Sequence, residues 1–222
     1  MRKLLLNKKN NGGAMGIGAM IVLIAMILVA GVAASVLIST SNTLQSQAMK
    51  SGTQTIREVS SGINVFSVSG YVADGENMSC LAITIEGRAG SDRIDLNNTF
   101  LLLSDGTKKA LLSFDYADAT HFNSAVTGDL FTSITWDTLT ADKFGIGVLQ
   151  DYDHSMTNQL NPTLNRGDKA VLFVYMDAGA TFNAQLQTRT DVFGQVIPEI
   201  GAPGTIGFTS PMSYFDNIYT LQ

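Results

Sequence analysis

The chain has 222 residues with a formal net charge of −5; 15% of its residues are charged and 45% are apolar. A solvated disordered chain would carry far more charge, and a negative chain without interleaved basic and aromatic residues does not suit nucleic-acid binding. One cysteine excludes an internal disulfide and a multi-cysteine zinc site, and two histidines leave little for metal or acid–base chemistry. The composition therefore argues against an enzyme.

Charge and hydrophobicity divide the chain into three parts. The first nine residues carry four cations and no acidic residue, and no charged residue lies between positions 10 and 49. Residues 14–38, AMGIGAMIVLIAMILVAGVAASVLI, have Ser35 as their one polar interruption, and about 20 apolar helical residues span a bilayer. Because the cations precede this segment, we predict a cytoplasmic N-terminus and an acidic body outside the membrane.

The helix is predicted to continue beyond the apolar segment. Apolar residues recur at spacings that fit 3.6 residues per turn. They are Leu37, Leu44, Ala48, Ile56, Val59 and Ile63. Since no proline precedes Pro162, we expect a helix from about residue 14 to about residue 60, roughly 70 Å long at ~1.5 Å per residue. Gly52 is its weak point, because an interior glycine costs about 1 kcal/mol relative to alanine.

Small residues within the apolar segment leave two interpretations open. Ala30 and Ala34, and likewise Gly31 and Ser35, are small residues four positions apart, a spacing that lets helix backbones approach closely. The segment therefore fits an ordinary signal anchor or a helix that packs against copies of itself. A secretory signal peptide is disfavoured, because its apolar run is shorter, about 7 to 15 residues, and precedes the cleavage site. Here the cleavage-like sequence Asn10-Asn11-Gly12-Gly13 comes before the run.

The basic head, the Gly-Ala junction and the apolar run resemble the N-terminus of archaellins, the archaeal flagellins, over about residues 8–45. Archaellins are built like type IV pilins. The resemblance implies that a prepilin-type signal peptidase cuts between Gly13 and Ala14. Lysines usually lie directly before the cleaved glycine, but Asn10, Asn11 and Gly12 intervene here, so a cut between Gly12 and Gly13 stays open. Gly18 occupies the position of the glutamate of bacterial type IV pilins, as in archaellins.

After about Gly62 the apolar period changes from 3.6 to 2, which predicts strands. Asp105-Gly106 between two apolar runs is typical of a hairpin turn. The strand candidates are residues 65–70, 81–86, 99–104, 108–114, 131–136, 144–149, 170–176, 182–188, 193–197 and 205–209. Many short strands separated by turn residues predict an antiparallel sandwich or barrel.

The predicted fold class is therefore α+β, with a long hydrophobic N-terminal helix followed by an antiparallel β-sandwich, which the archaellin resemblance implies is immunoglobulin-like. The predicted parts are a cleaved leader at residues 1–13, a helix at 14–62 that spans the membrane before assembly, and an extracellular domain at 63–222. Large apolar side chains of the domain are predicted to be core or interface residues. They are Phe100, Leu102, Trp136, Phe173 and Tyr175.

No catalytic residues are predicted. The sequence has no G-x-S-x-G motif, P-loop or dinucleotide fingerprint. Cys80 is far in sequence from His121 and His154, and a nucleophilic cysteine needs a histidine within hydrogen-bond reach. Cys80 is therefore predicted to be a small buried hydrophobic residue.

Two triplets, Asn77-Met78-Ser79 and Asn97-Asn98-Thr99, satisfy the N-x-S/T rule for N-glycosylation. Such triplets also arise by chance, and the alternative is two asparagines at turns or strand edges. The archaellin resemblance implies that an oligosaccharyltransferase attaches N-linked glycans to Asn77 and Asn97.

Four oxygen-bearing residues, Asp151, Asp153, Asn158 and Asp168, lie in a stretch between predicted strands. Such ligands suit Ca²⁺, which accepts about six to eight oxygens in flexible geometry. The D-Y-D-H spacing lacks the glycine and the terminal glutamate of an EF-hand, so the alternative is a solvated loop. No other cofactor is expected.

The resemblance implies a structural subunit that polymerises into the archaellum filament used for swimming. The residues that would let its helices pack are Gly16, Gly18, Ala30, Gly31, Ala34 and Ser35. The implied partners are further copies, with or without other archaellins, the signal peptidase, and the archaellum motor with its membrane platform. The alternatives are an adhesive archaeal type IV pilin or, from a different class, a signal-anchored extracellular binding module.

Overall fold

A computed structural model describes residues 12–177 and 181–222. The chain divides into two compact units, Met1–Thr53 and Gln54–Gln222. Most of the predicted leader, residues 1–11, lies outside the described residues.

A single long helix, α1 (Gly12–Ser60), accounts for the N-terminal part of the described chain and confirms the predicted helix. Its 49 residues correspond to about 73 Å at ~1.5 Å per residue. In its polar half, Thr43 and Thr53 donate their hydroxyl groups to the carbonyl oxygens of Ser39 and Met49 one turn earlier. Every described side chain from residue 15 to residue 59 is exposed.

The rest of the described chain is built from short strands, as the change of period predicted. They are β1 (Ile63–Tyr71), β2 (Cys80–Gly87), β3 (Ile94–Asp95), β4 (Phe100–Ser104), β5 (Lys109–Phe114), β6 (Phe122–Asn123), β7 (Lys143–Gln150), β8 (Thr163–Leu164), β9 (Lys169–Tyr175), β10 (Asp191–Ile197), β11 (Gly204–Thr209) and β12 (Ile218–Thr220). Antiparallel pairing dominates; β5 and β6 pair with β7 in parallel.

The strands form one continuous sheet in the order β11-β10-β4-β5-β7-β9-β2-β1-β12, with β6 beside β7, and β3 and β8 form a separate ribbon. The start of β7 pairs with β5 and the rest pairs with β9, so β7 passes from one layer of the sheet to the other. Buried residues of both layers, including Leu103, Ile206, Ile83 and Leu172, belong to one core. The domain is thus an antiparallel sandwich, as predicted.

Two predicted strands are wrong. Residues 131–136 run from one short 3-10 turn, Leu130–Thr132, to the start of another, Trp136–Thr138, and the Asp129 carboxylate accepts from the backbone N–H of Phe131 to cap the first of them. Residues 182–188 begin in the 3-10 segment Thr181–Asn183, and the one pairing they make is an isolated bridge at Leu186. Both stretches contain the aromatic residues that strands favour, but here they cover the sheet from loops.

The junction between α1 and β1 is hydrogen-bonded to the turn that precedes β11. Ala202 donates its N–H to Ser61 O at 2.9 Å and accepts from Ile63 N–H at 3.1 Å. Gly201 makes this approach possible at φ +104°, because a Cβ atom there would overlap the carbonyl oxygen of Ser61. The start of the sandwich is thus fixed by a glycine turn just before β11.

The free edge of β11 is covered by the Gln222 side chain. The Gln222 side chain accepts from Gly207 N–H at 3.0 Å and donates to Thr205 O at 3.4 Å. An exposed strand edge is a template for unwanted pairing, and this amide occupies it.

Candidate functional site

The apolar part of α1 is an exposed surface. Its side chains from residue 15 to residue 38 are all exposed, and the helix is long and apolar enough to cross a membrane. At the predicted packing residues Gly16, Gly18 and Gly31, a Cβ would meet no atom within 4 Å apart from the neighbouring residues of the helix itself, and Ala30, Ala34 and Ser35 are exposed. Such a surface requires lipid or other apolar helices around it.

The predicted cleavage junction lies at the very start of the helix. Gly12, Gly13 and Ala14 belong to the first turn of α1, and Gly13 is exposed. The described helix therefore begins two residues before the predicted mature N-terminus.

An aromatic cluster covers the outer side of β2 and β9. Trp136 packs edge-on against Phe173, with ring centroids 5.4 Å apart, and its Nε1 donates to Phe131 O at 2.6 Å. Phe131 in turn stacks on Tyr71 at 5.2 Å. Phe173 is buried and Trp136 and Tyr175 are half-buried, so these three residues are packing residues, as predicted.

Cys80 lies beneath this cluster and is buried, as predicted, with 4% of its surface exposed. Burial raises the pKa of its thiol from 9.0 to about 11, although the Ser79 hydroxyl lowers it in part. A thiol in this state is a poor nucleophile.

Phe100 and Leu102 do not belong to the core. They point outward from β4, where Phe100 is exposed and Leu102 half-buried, while Leu101 and Leu103 between them are fully buried. The alternative that the sequence left open for them, an interface role, is the one compatible with this position.

Three of the four predicted calcium ligands come together. One carboxylate oxygen each from Asp151, Asp153 and Asp168 lies within 4.8 Å of the others, and no other such acidic, histidine or cysteine group occurs among residues 12–177 and 181–222. Asp168 is 1% exposed and accepts from the N–H of Asn165 at 3.1 Å and of Tyr152 at 3.4 Å. These bonds fix its carboxylate before strand β9.

The other two carboxylates accept hydrogen bonds from the loop that follows them. Asp151 accepts from the N–H of Ser155 at 3.1 Å and of Met156 at 3.0 Å. Hydrogen bonds from Ser155 and Asn165 lower the pKa of exposed Asp153, against the opposing effect of desolvation. The sequence analysis missed Asn165, whose Nδ2 donates to Asp153 at 2.7 Å.

The Asn158 side chain is exposed and its Oδ1 accepts from Leu160 N–H at 3.0 Å, which closes a local turn. Its part in a metal site stays a prediction.

Both candidate glycosylation asparagines lie in connections between strands and are partly exposed. Asn77 is in the loop between β1 and β2, and Asn97 is in the turn between β3 and β4. The Thr99 hydroxyl of the second triplet is buried and donates to Asp95 O at 3.0 Å, and Ser79 of the first triplet is also buried. Accessible asparagines in loops fit the prediction, and glycosylation itself stays a prediction.

A long exposed apolar helix ahead of an antiparallel sandwich defines a pilin-like assembly subunit. The profile of the archaeal-type flagellin family matches residues 13–208. Flagellin B3 of Methanocaldococcus jannaschii is 39% identical over 216 residues, which cover 96% of this chain and 97% of the relative. Flagellin B2 of the same organism is 43% identical over 217 residues, 96% of each chain. The chain therefore belongs to the archaeal-type flagellin family.

Solved structures agree with this assignment. The crystal structure of archaeal flagellin FlaB1 from Methanocaldococcus jannaschii matches with a TM-score of 0.63 at 34% identity and covers 73% of this chain and 97% of its own. The archaeal flagellum of Methanospirillum hungatei strain JF1 shares the fold, with a TM-score of 0.60 at 16% identity, over 91% of this chain and 98% of its own.

Proposed function

We propose that this chain is the structural subunit of an archaellum filament and acts by assembly. The observation that carries the proposal is the apolar helix surface of residues 15–38, fully exposed in a chain that matches archaeal flagellins along almost its whole length. In a membrane this helix satisfies its own backbone hydrogen bonds and its side chains face lipid. Outside the membrane, only neighbouring apolar helices replace that lipid.

Leader removal is the step that releases the helix. A prepilin-type signal peptidase cuts after Gly13, or after Gly12, and removes the four cations that hold the N-terminus at the cytoplasmic face. The precursor is thus a membrane protein with its N-terminus inside, and the mature chain joins an extracellular filament.

The filament is a helical homopolymer in which the apolar helices form the centre and the β domains face water. An interface that joins two different surfaces and does not close generates an open helix. The archaellum motor and its membrane platform rotate this polymer for swimming. An adhesive type IV pilin shares the assembly logic, and the archaeal-type flagellin match favours the swimming role.

A deletion strain complemented with glycine variants tests both the role and the cut. We expect the deletion to abolish swimming and leave surface attachment normal. If the cut follows Gly13, Gly13→Val leaves the precursor uncut and non-motile, whereas the adjacent Gly12→Val restores swimming. Loss of attachment with normal swimming would contradict the archaellin role.

We further propose that Asp151, Asp153 and Asp168 hold a Ca²⁺ ion. Three convergent carboxylates on a loop fixed by backbone N–H groups support this proposal, since Ca²⁺ prefers oxygen ligands and tolerates irregular geometry.

At a hundredfold excess over its Kd, a ligand of the folded state adds about 2.7 kcal/mol to the free energy of unfolding. We expect millimolar Ca²⁺ to raise the melting temperature of the wild type and of the exposed control Asp74→Asn, but not of Asp153→Asn. If the wild type had the same melting temperature in Ca²⁺ and in chelator, that result would contradict the site.

We also propose N-linked glycans on Asn77 and Asn97, attached by an oligosaccharyltransferase outside the membrane. The partly exposed loop positions of both asparagines support this. Peptides with a glycan mass on both residues are expected from purified filaments, and fully unmodified peptides would contradict the proposal.

A further inference from the structure

One outward side of the sandwich is unexpectedly apolar. Its members, which we call the outer face, lie on β4, β5 and β10. They are Phe100, Leu102, Leu111, Phe193 and Ile197. Phe100 lies opposite Ile197 and Leu102 lies opposite Leu111, while Phe193 lies opposite Ser104 and lines the same depression as Leu102.

The strands of the outer face carry apolar residues on both sides, and on the outer side these alternate across the strands with Ser104, Ser113 and Gln195. Alternate residues such as Leu101, Leu112 and Val196 fill the core and are fully buried, while on the other side Phe193 is 61% exposed. An antiparallel sheet with one face in water normally carries polar residues there. Contiguous exposed apolar residues mark an interaction surface, so the outer face is expected to be covered in the assembled protein.

A second apolar feature projects from the turn between β11 and β12. This turn, residues 211–217, we call the projecting loop. Its Phe215 is 90% exposed and its Met212 is also exposed. Large exposed aromatic side chains are the residues that most often anchor an interface.

The projecting loop is held in place. The Tyr219 hydroxyl accepts hydrogen bonds from the backbone N–H groups of Phe215 and Asp216, and the rings of Tyr219 and buried Tyr214 meet edge-to-face at 5.4 Å. At the two ends of the loop, Arg189 N–H donates to Pro211 O at 3.2 Å and Val72 N–H donates to Asn217 O at 2.9 Å. Because the loop is already ordered, docking Phe215 costs little conformational entropy.

One pair of opposite charges can form between the two surfaces. Asp216 is exposed directly beside Phe215, and the projecting loop carries no basic residue. Lys109 is exposed two residues before Leu111, on the same side of β5, at the edge of the depression lined by Leu102 and Phe193. An aromatic residue with an adjacent carboxylate thus meets an apolar face that is bordered by the Lys109 ammonium group and, on the other side of Phe193, by the Asp191 carboxylate, which accepts from the Thr209 hydroxyl at 2.6 Å.

We propose that the projecting loop of one copy docks on the outer face of a second copy in the filament, with Phe215 near Phe193 and Asp216 near Lys109. The inference rests on the proposed filament role and adds a contact between β domains to that of the helices. The two surfaces differ from each other, so the contact is heterologous and repeats from copy to copy without closing, as an open polymer requires.

Phe66 offers a matched control. It is 59% exposed, nearly as much as Phe193, but it lies on β1, and Lys169 Nζ already sits 4.6 Å from its ring centroid. Its position on a different layer of the sheet places it outside the proposed contact.

Crosslinking of intact filaments tests the contact. Cys80 is buried and stays in place, so the double variant Phe193→Cys/Phe215→Cys adds two accessible thiols. Treated with a short bismaleimide, filaments of this variant are expected to give a ladder of dimers, trimers and larger species on denaturing gels. Each single variant and the control Phe66→Cys/Phe215→Cys are expected to remain mostly monomeric.

Two results overturn the contact: filaments of the double variant without a ladder, or an equal ladder from the Phe66 control. If the variants do not assemble, oxidative footprinting of wild-type filaments decides. Phe193 and Phe215 are expected to be at least fivefold less oxidised in filaments than in detergent-dissociated subunits, with Phe66 unchanged, and equal oxidation in both states overturns the contact. Absence of the wild-type chain from filaments would refute the proposed function instead.

Discussion

Cys80 shows how one residue acquires its chemistry from packing. The side chain is enclosed by β2 and the aromatic cluster around Phe131 and Phe173, and the free energy of desolvating a thiolate there raises its pKa to about 11. The residue therefore behaves as a small hydrophobic side chain at physiological pH.

Alkylation measures this effect. At pH 8 a thiol with a pKa of about 11 has about 100-fold less thiolate than one with the ordinary pKa of 9.0. We expect iodoacetamide to modify Cys80 at least ~100-fold more slowly in the folded chain than in the urea-unfolded chain, and the folded rate to rise as the pH approaches 11. Equal folded and unfolded rates, measured by intact mass, would contradict the burial of Cys80.

Of two glycines in and near β11, one occupies a position that requires glycine and the other a position that tolerates alanine. Gly201 has φ +104° and approaches Ser61, whereas a Cβ at Gly207 would meet open space. Gly201→Ala adds backbone strain of about 1–3 kcal/mol and a steric overlap of about 1–3 kcal/mol. We expect it to lower the free energy of unfolding by about 2–6 kcal/mol, and the control Gly207→Ala to stay within about 0.5 kcal/mol.

Urea unfolding of the full chain in detergent, followed by the fluorescence of Trp136, compares the two variants directly. A Gly201→Ala variant as stable as Gly207→Ala would show that the turn before β11 does not fix the start of the sandwich.

At the scale of elements, sequence patterns were reliable where burial on one side sets the period. α1 was predictable because its 25 nearly uninterrupted apolar residues are followed by apolar residues at helical spacing, a pattern that indicates a helix and not a strand. The β4–β5 hairpin was predictable from Asp105-Gly106, and Gly106 indeed has φ +84°. The two-residue strands β3, β6 and β8 were missed because two residues are too few to show an alternation of apolar and polar side chains.

Aromatic residues in loops misled the prediction at residues 131–136 and 182–188. Phe131, Trp136 and Phe182 are the residue types of strands, but they bury their rings from 3-10 turns. Nothing local distinguishes a ring that covers a sheet from one that belongs to it. Of the candidate sites, the acidic group was predictable from its residue types, whereas the projecting loop was missed because its exposure depends on the fold.

At the scale of the whole molecule, the described residues include apolar surface that a monomer in water would not expose, above all the helix surface of residues 15–38 and the outer face of the sandwich. Membership of the archaeal-type flagellin family gives both a common explanation, because subunits in a polymer cover each other. The helices supply the larger apolar area, and the contact between projecting loop and outer face would fix how neighbouring β domains are arranged.

The most direct test is the N-terminal peptide of this chain in filaments sheared from cells, determined by mass spectrometry. The account predicts abundant peptides of this chain, with the first residue at Ala14, or at Gly13 if the cut follows Gly12. A chain absent from filaments and retained in the membrane fraction with residues 1–13 attached would contradict the filament role and favour a signal-anchored module.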